Sequence, residues 1–149
     1  MRLLVIRNSA MGDVALTTPV LKGMREQYPD VELVLITRAV FKPYFSSIYG
    51  LKLFFPDFKK RHKGFGGLVL LFKDIRRQWE IDYIVDLHDV LRSKIIRLFF
   101  RLTGVRAAVI DKGRKEKKAL ITRNKKIRLK HTVETVSYTH LTLPTILRV

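Results

Sequence analysis

Arg2-Leu3-Leu4-Val5-Ile6-Arg7-Asn8-Ser9-Ala10-Met11-Gly12-Asp13-Val14-Ala15-Leu16-Thr17-Thr18-Pro19-Val20-Leu21 decides the fold. Leu3–Arg7 has strand length and is almost wholly apolar, the pattern of a strand covered on both faces. The polar break at Asn8-Ser9 is a tight loop, and Val14–Gln27 reads as a helix. Strand, loop and helix in that order form the first half of a β-α-β unit. In a parallel sheet that loop lies at the carboxyl end of its strand, where ligands bind. Gly12 permits close backbone approach or a positive φ there. Asp13 puts a carboxylate beside the loop, and on its own it reads as a helix cap.

The same alternation runs along the chain. Strands are expected at Glu32–Thr37, Leu51–Phe55, Tyr83–Leu87 and Ala107–Ile110, and helices at Phe41–Ile48, Leu68–Trp79 and Val90–Leu102. Pro29-Asp30 and Gly50 mark turns, and Pro19 is expected near the start of its helix, where a missing N–H costs least. The expected fold class is therefore α/β: a Rossmann-like, mostly parallel sheet of about five strands covered by helices.

Composition narrows the function. The chain has 149 residues and no cysteine, which excludes a disulfide framework and thiolate metal sites. No run of about 18 apolar residues is present to span a bilayer, and no secretory signal pattern opens the chain, so a cytoplasmic setting is expected. A net charge of +17 calls for an anionic partner: nucleic acid, a phosphorylated substrate or an anionic membrane surface. Lys112–Lys130 alone carries ten cations against Glu116, which makes a basic nucleic-acid-binding module the rival reading. Against it, that segment holds no aromatic residue to stack on bases, and the chain carries no helix-turn-helix, zinc or RNA-recognition signature.

Three further groups of residues invite chemistry. Lys59, Lys60, Arg61 and Lys63 follow a strand end and are flanked by Gly64; they read either as a clamp for phosphates and carboxylates or as a solvated charge run. Asp86-Leu87-His88-Asp89 ends a buried strand, with Arg92 and Ser93 in the first turns of the next helix. Asp86 there either faces a ligand or orients the following loop through backbone hydrogen bonds. His88 and Asp89 lack a third ligand at useful spacing, so no metal and no other cofactor is expected. Arg92, Lys94, Arg97 and Arg101 alternate with apolar residues on one helix, the pattern of an ordinary amphipathic cover helix, with contact to anionic lipid as the other reading.

Ser9-Ala10-Met11-Gly12-Asp13-Val14 after an N-terminal Met-Arg-Leu-Leu-Val-Ile strand resembles glycosyltransferase family 9, the ADP-heptose:lipopolysaccharide heptosyltransferases. Tyr83–His88, Leu91-Arg92-Ser93 and His131-Thr132-Val133-Glu134 share the likeness, which runs from Met1 to about Thr135. It implies the acceptor-side N-terminal half, residues 1–135, of a two-domain GT-B enzyme that moves heptose from ADP-heptose, with inversion, onto the lipid A–Kdo inner core. It implies Asp13 as the general base. Ser9, Met11, Gly12, Thr17, Lys59, Lys60, Arg61, Lys63, Asp86, Arg92 and Ser93 are then the expected substrate contacts, the ADP-heptose site belongs to the other half, and the resemblance also implies peripheral contact with the inner face of the inner membrane.

The likeness ends where the composition changes. Val136–Thr145 resembles the in-frame translation of a transposon-end adapter used in sequencing libraries. Residues 136–149 are therefore expected to be a non-native tail. The natural protein is expected to continue past Thr135, and the chain as given is expected to be inactive.

Overall fold

The computed structural model describes residues 1–110. The expected basic run 112–130, the motif at 131–134 and the tail at 136–149 lie outside the described residues. Five strands, β1 (Arg2–Ile6), β2 (Glu32–Ile36), β3 (Lys52–Phe54), β4 (Tyr83–Asp86) and β5 (Arg106–Val109), form one sheet. Its order is β3-β2-β1-β4-β5 and every pairing is parallel. Ile6 lies level with Ile36 on one side and Asp86 on the other, so the polar loops that follow β1, β2 and β4 emerge together.

Helix α1 (Met11–Gln27) joins β1 to β2, a 3-10 helix (Ala39–Phe45) precedes β3, and α2 (Gly64–Gln78) and α3 (Leu91–Leu102) flank β4 in the chain. Strand alternation divides the apolar side chains between two cores. Leu3, Val5, Leu33, Leu35 and Val85 pack with α1 and the 3-10 helix. Leu4, Ile6, Val34, Ile36 and Ile84 pack with α2 and α3. Both faces of the sheet are thus covered, which is why its strands read as apolar without interruption. The chain is Rossmann-like, as expected.

Several boundaries differ. Helix α1 starts at Met11 instead of Val14, so Gly12 and Asp13 lie in its first turn and Gly12 has no positive φ. Pro19 consequently sits in the interior of α1 and not near its start. The segment expected as a helix over Phe41–Ile48 is the 3-10 helix, which contains Pro43. Helix α2 starts at Gly64, ahead of Leu68, so Gly66 and Gly67 are helical. At Gly67 a Cβ would fall 2.2 Å from the backbone carbon of His62. Glycine is there because the 58–62 turn lies directly on the helix.

Candidate active site

Because all strands run the same way, the segments after β1 to β4 gather at one edge of the sheet. They enclose a cleft of about 860 Å³. Asn8 and Ser9 enter it after β1, Arg38 after β2, Phe58 and Lys59 after β3, and His88 and Arg92 after β4. Three cations, Arg38, Lys59 and Arg92, thus face one carboxylate, Asp57. The Arg92 guanidinium lies 4.9 Å over the Phe58 ring, bridging two walls of the cleft. Asn8 is buried at the cleft, and its Oδ1 has no hydrogen-bond partner among the described residues. Ser9 Oγ lies 3.5 Å from His88 Nε2.

Beside the cleft, a buried charge network ties three elements together. The Arg7 side chain is 4% exposed. Its Nη2 pairs with Asp13 Oδ2 and its Nη1 donates to the Leu87 carbonyl. Burial pulls the guanidinium below its ordinary value, while Asp13 and Asp86 act in the opposite direction. Asp86 is fully buried. Its Oδ1 accepts the backbone N–H groups of His88 and Asp89, at 2.9 and 2.8 Å, and its Oδ2 accepts Arg97 Nη1 at 3.1 Å. Asp86 also holds Asp89 in the left-handed region, at φ 42°.

The structure sorts the expected site residues. Ser9, Lys59 and Arg92 line the cleft. Asp13 is not a cap: Ala10 occupies the N-cap without a side-chain cap bond, and Asp13 is engaged by Arg7 instead. Asp13 is not among the cleft-lining residues; it stands in the first turn of α1, next to the Asn8-Ser9 wall. Met11 and Gly12 are exposed in the same turn, and a Cβ on Gly12 would meet nothing within 4 Å. Thr17, Asp86 and Ser93 are all buried and do not line the cleft. Thr17 donates to the Asp13 carbonyl at 2.8 Å, a bond within the helix. Asp86 carries the loop-orienting reading, and the Ser93 hydroxyl accepts the Val90 N–H at 3.0 Å at the start of α3.

Of the expected basic clamp, Lys60, Arg61 and Lys63 also lie off the cleft. Arg61 forms a two-pronged pair with Asp74 of α2, at 2.8 and 2.9 Å. His62 Nδ1 accepts the Asp57 N–H at 2.9 Å, and its Nε2 lies 3.1 Å from Asp74 Oδ2. Asp57 Oδ1 in turn accepts the N–H groups of Lys59 and Lys60. Arg61 and His62 therefore fix the turn that presents Lys59. The sequence reading missed Arg7, Asn8, Arg38 and the cleft position of His88. A signal was present for the first three: each is a polar residue within two positions of the end of an apolar strand.

No protein-family model matches the chain, and no curated protein sequence does. Solved structures do. The glycosyl transferase family 9 protein from Veillonella parvula DSM 2008 superposes with a TM-score of 0.63 at 20% identity, over 93% of this chain and 41% of its own. E. coli heptosyltransferase WaaC with ADP gives 0.63 at 20% identity, over 95% and 46%. The same enzyme with ADP-2-deoxy-2-fluoro heptose gives 0.59 at 18%, over 95% and 48%. The chain shares its fold with part of these glycosyltransferases. It spans less than half the length of each.

Proposed function

We propose that the chain is the acceptor-side domain, residues 1–135, of an inverting glycosyltransferase that moves heptose from ADP-heptose to an anionic lipid A–Kdo acceptor. The observation that carries this reading is the convergence of Arg38, Lys59 and Arg92 on a cleft beside the Asp13-bearing turn of α1. Clustered guanidinium and ammonium groups suit acceptor phosphates and carboxylates, and Asn8 offers a buried acceptor atom for a sugar hydroxyl. The family likeness of Ser9–Val14 and the shared fold both support it.

In this reading Asp13 takes the proton of the acceptor hydroxyl through Oδ1, while Arg7 holds Oδ2. The freed oxygen forms a bond to the anomeric carbon from the face opposite the nucleoside diphosphate, whose bond breaks and which leaves with the electron pair. The pair with Arg7 fixes the orientation of the carboxylate toward the acceptor. The donor belongs to a second domain, and this chain alone is inactive.

Calorimetry with lipid A–Kdo and with ADP-heptose tests the reading. The chain should bind the acceptor and not the donor. Arg38→Ser/Lys59→Ser/Arg92→Ser should weaken acceptor binding at least about tenfold, the loss of a single good charge-assisted contact. Acceptor binding untouched by the triple change overturns the assignment of the cleft. Where a donor-binding domain completes the enzyme, Asp13→Asn should lower turnover about 10²–10⁴-fold, the range of a general base.

A further inference from the structure

The loop after β4 is held more tightly than a connection needs. Asp89 stands in the left-handed region at φ 42°, which is uncommon for a residue with a Cβ, and such outliers gather at functional sites. Fully buried Asp86 gives one oxygen to the backbone N–H groups of His88 and Asp89. Arg97 of α3 grips its other oxygen at 3.1 Å and comes within 4.0 Å of Asp89 Oδ1. Lys94 lies 3.9 Å from that same atom. None of these holding groups lines the cleft. What they hold does: half-buried His88 is the one residue of the 86–89 stretch on the cleft wall.

Its neighbours give the imidazole a task. Ile6 of β1 is level with Asp86 of β4, so Ser9 and His88 leave adjacent strands side by side. Ser9 Oγ and His88 Nε2 are 3.5 Å apart, beyond the usual hydrogen-bond range of about 2.7–3.2 Å. A hydroxyl and a neutral imidazole each donate or accept according to rotor and tautomer, and a sugar hydroxyl needs both kinds of partner. The cations Arg38, Lys59 and Arg92 carry no acceptor atom. The cleft thus has a neutral polar wall from β1 and β4, next to the Asp13-bearing turn, as well as its cations. We infer that His88 is a further substrate-contacting residue: its Nε2 and Ser9 Oγ together take one hydroxyl of the acceptor sugar and so set which hydroxyl stands toward Asp13. This inference rests on the acceptor reading proposed above and adds to it the residue that selects the orientation of the sugar.

The test titrates the full chain with the lipid A–Kdo acceptor and, separately, with inorganic phosphate, reading affinity by calorimetry and the histidine rings by NMR of their nitrogens. The acceptor should move the ring signals of His88, identified as those absent from His88→Gln. It should leave those of His62, which is buried in the 58–62 turn. His88→Leu should weaken acceptor binding about three- to tenfold, the range for one lost hydrogen bond. His88→Gln, whose amide nitrogen reaches the place of Nε2, should recover most of that loss. Inorganic phosphate calls on the cations and offers no sugar ring, so its affinity should be the same in His88→Leu as in wild type. An equal loss of both ligands, or no recovery with glutamine, makes His88 a prop of the loop and overturns the inference. If His88→Leu lowers the thermal midpoint, the wild-type ring signals decide, and their indifference to the acceptor overturns it. The two readings fail separately. Acceptor binding that ignores Arg38→Ser/Lys59→Ser/Arg92→Ser overturns the acceptor reading itself. Acceptor binding that needs those three cations and ignores His88→Leu overturns only the role of His88.

Discussion

Arg7 and Asp13 are unequal partners, and the inequality has a measurable consequence. The Arg7 side chain is 4% exposed and that of Asp13 is 35% exposed. Removing Asp13 strands a guanidinium that water cannot reach. Removing Arg7 leaves a carboxylate that water can solvate, and the main loss is one donor to the Leu87 carbonyl. We predict that Asp13→Ala destabilises the chain by about 3 kcal/mol, the low end of the range for breaking a buried pair, and Arg7→Met by about half that or less. Adding Arg7→Met to Asp13→Ala should restore stability. Urea unfolding of the two single variants and the double variant gives the cycle. Equal single costs, or no rescue, would show that the pair is not buried in solution. Gly12 supplies a second prediction on the same turn. A Cβ there meets nothing within 4 Å, and the residue is helical. Gly12→Ala should therefore raise stability by about 0.5–1 kcal/mol. Any loss of acceptor binding in that variant would locate a ligand against the turn.

Between elements, the deciding contact is the 58–62 turn on α2. Its anchor is Asp74, which Arg61 and then His62 hold well below the usual carboxylate range. A carboxyl lowered in the folded state adds stability above its unfolded value, near pH 4, and loses it as pH falls through the folded value. Asp74→Asn should therefore flatten the acid limb of the stability profile. The gap to wild type should be full at about pH 6 and much reduced by about pH 2. An acid limb of unchanged steepness would mean that Asp74 is unpaired. Gly67→Ala should be worse than Gly12→Ala by about 1–3 kcal/mol or more, because the new methyl meets His62 backbone that has nowhere to move. These elements also show what a sequence can and cannot tell. Apolar runs of strand length disclosed the five strands of the described residues to within about two residues, because a doubly covered parallel sheet confines polar residues to the strand ends. The starts of α1 and α2 were misread, since Gly12, Gly66 and Gly67 look like loop residues until the space around them is known. The Arg61–Asp74 pair joins residues thirteen apart on a turn and a helix, and no periodicity announces it. The basic run therefore read equally as a clamp or as a solvated charge run, and of its cations only Lys59 lines the cleft.

At the scale of the whole molecule, a net charge of +17 attracts any polyanion, so binding of an anion is not by itself evidence of a site. Position separates the two cases. Arg38, Lys59 and Arg92 come from three different strand ends and meet at one cleft, whereas the charge of 112–130 is contiguous in sequence. A general field should bind a random duplex oligonucleotide with an affinity that falls steeply, by roughly a hundredfold or more, between about 50 and 200 mM salt as counterions are recaptured. It should be nearly indifferent to three charges among many. In the proposed reading the lipid A–Kdo acceptor meets only the few cations gathered at the cleft, so fewer counterions are released than along a duplex. Fluorescence anisotropy with both ligands should therefore give a shallower salt slope for the acceptor. Arg38→Ser/Lys59→Ser/Arg92→Ser should remove most of the acceptor affinity and little of the oligonucleotide affinity. If the triple change weakens both ligands equally, the cleft is a general polyanion groove, and the nucleic-acid reading displaces the transferase.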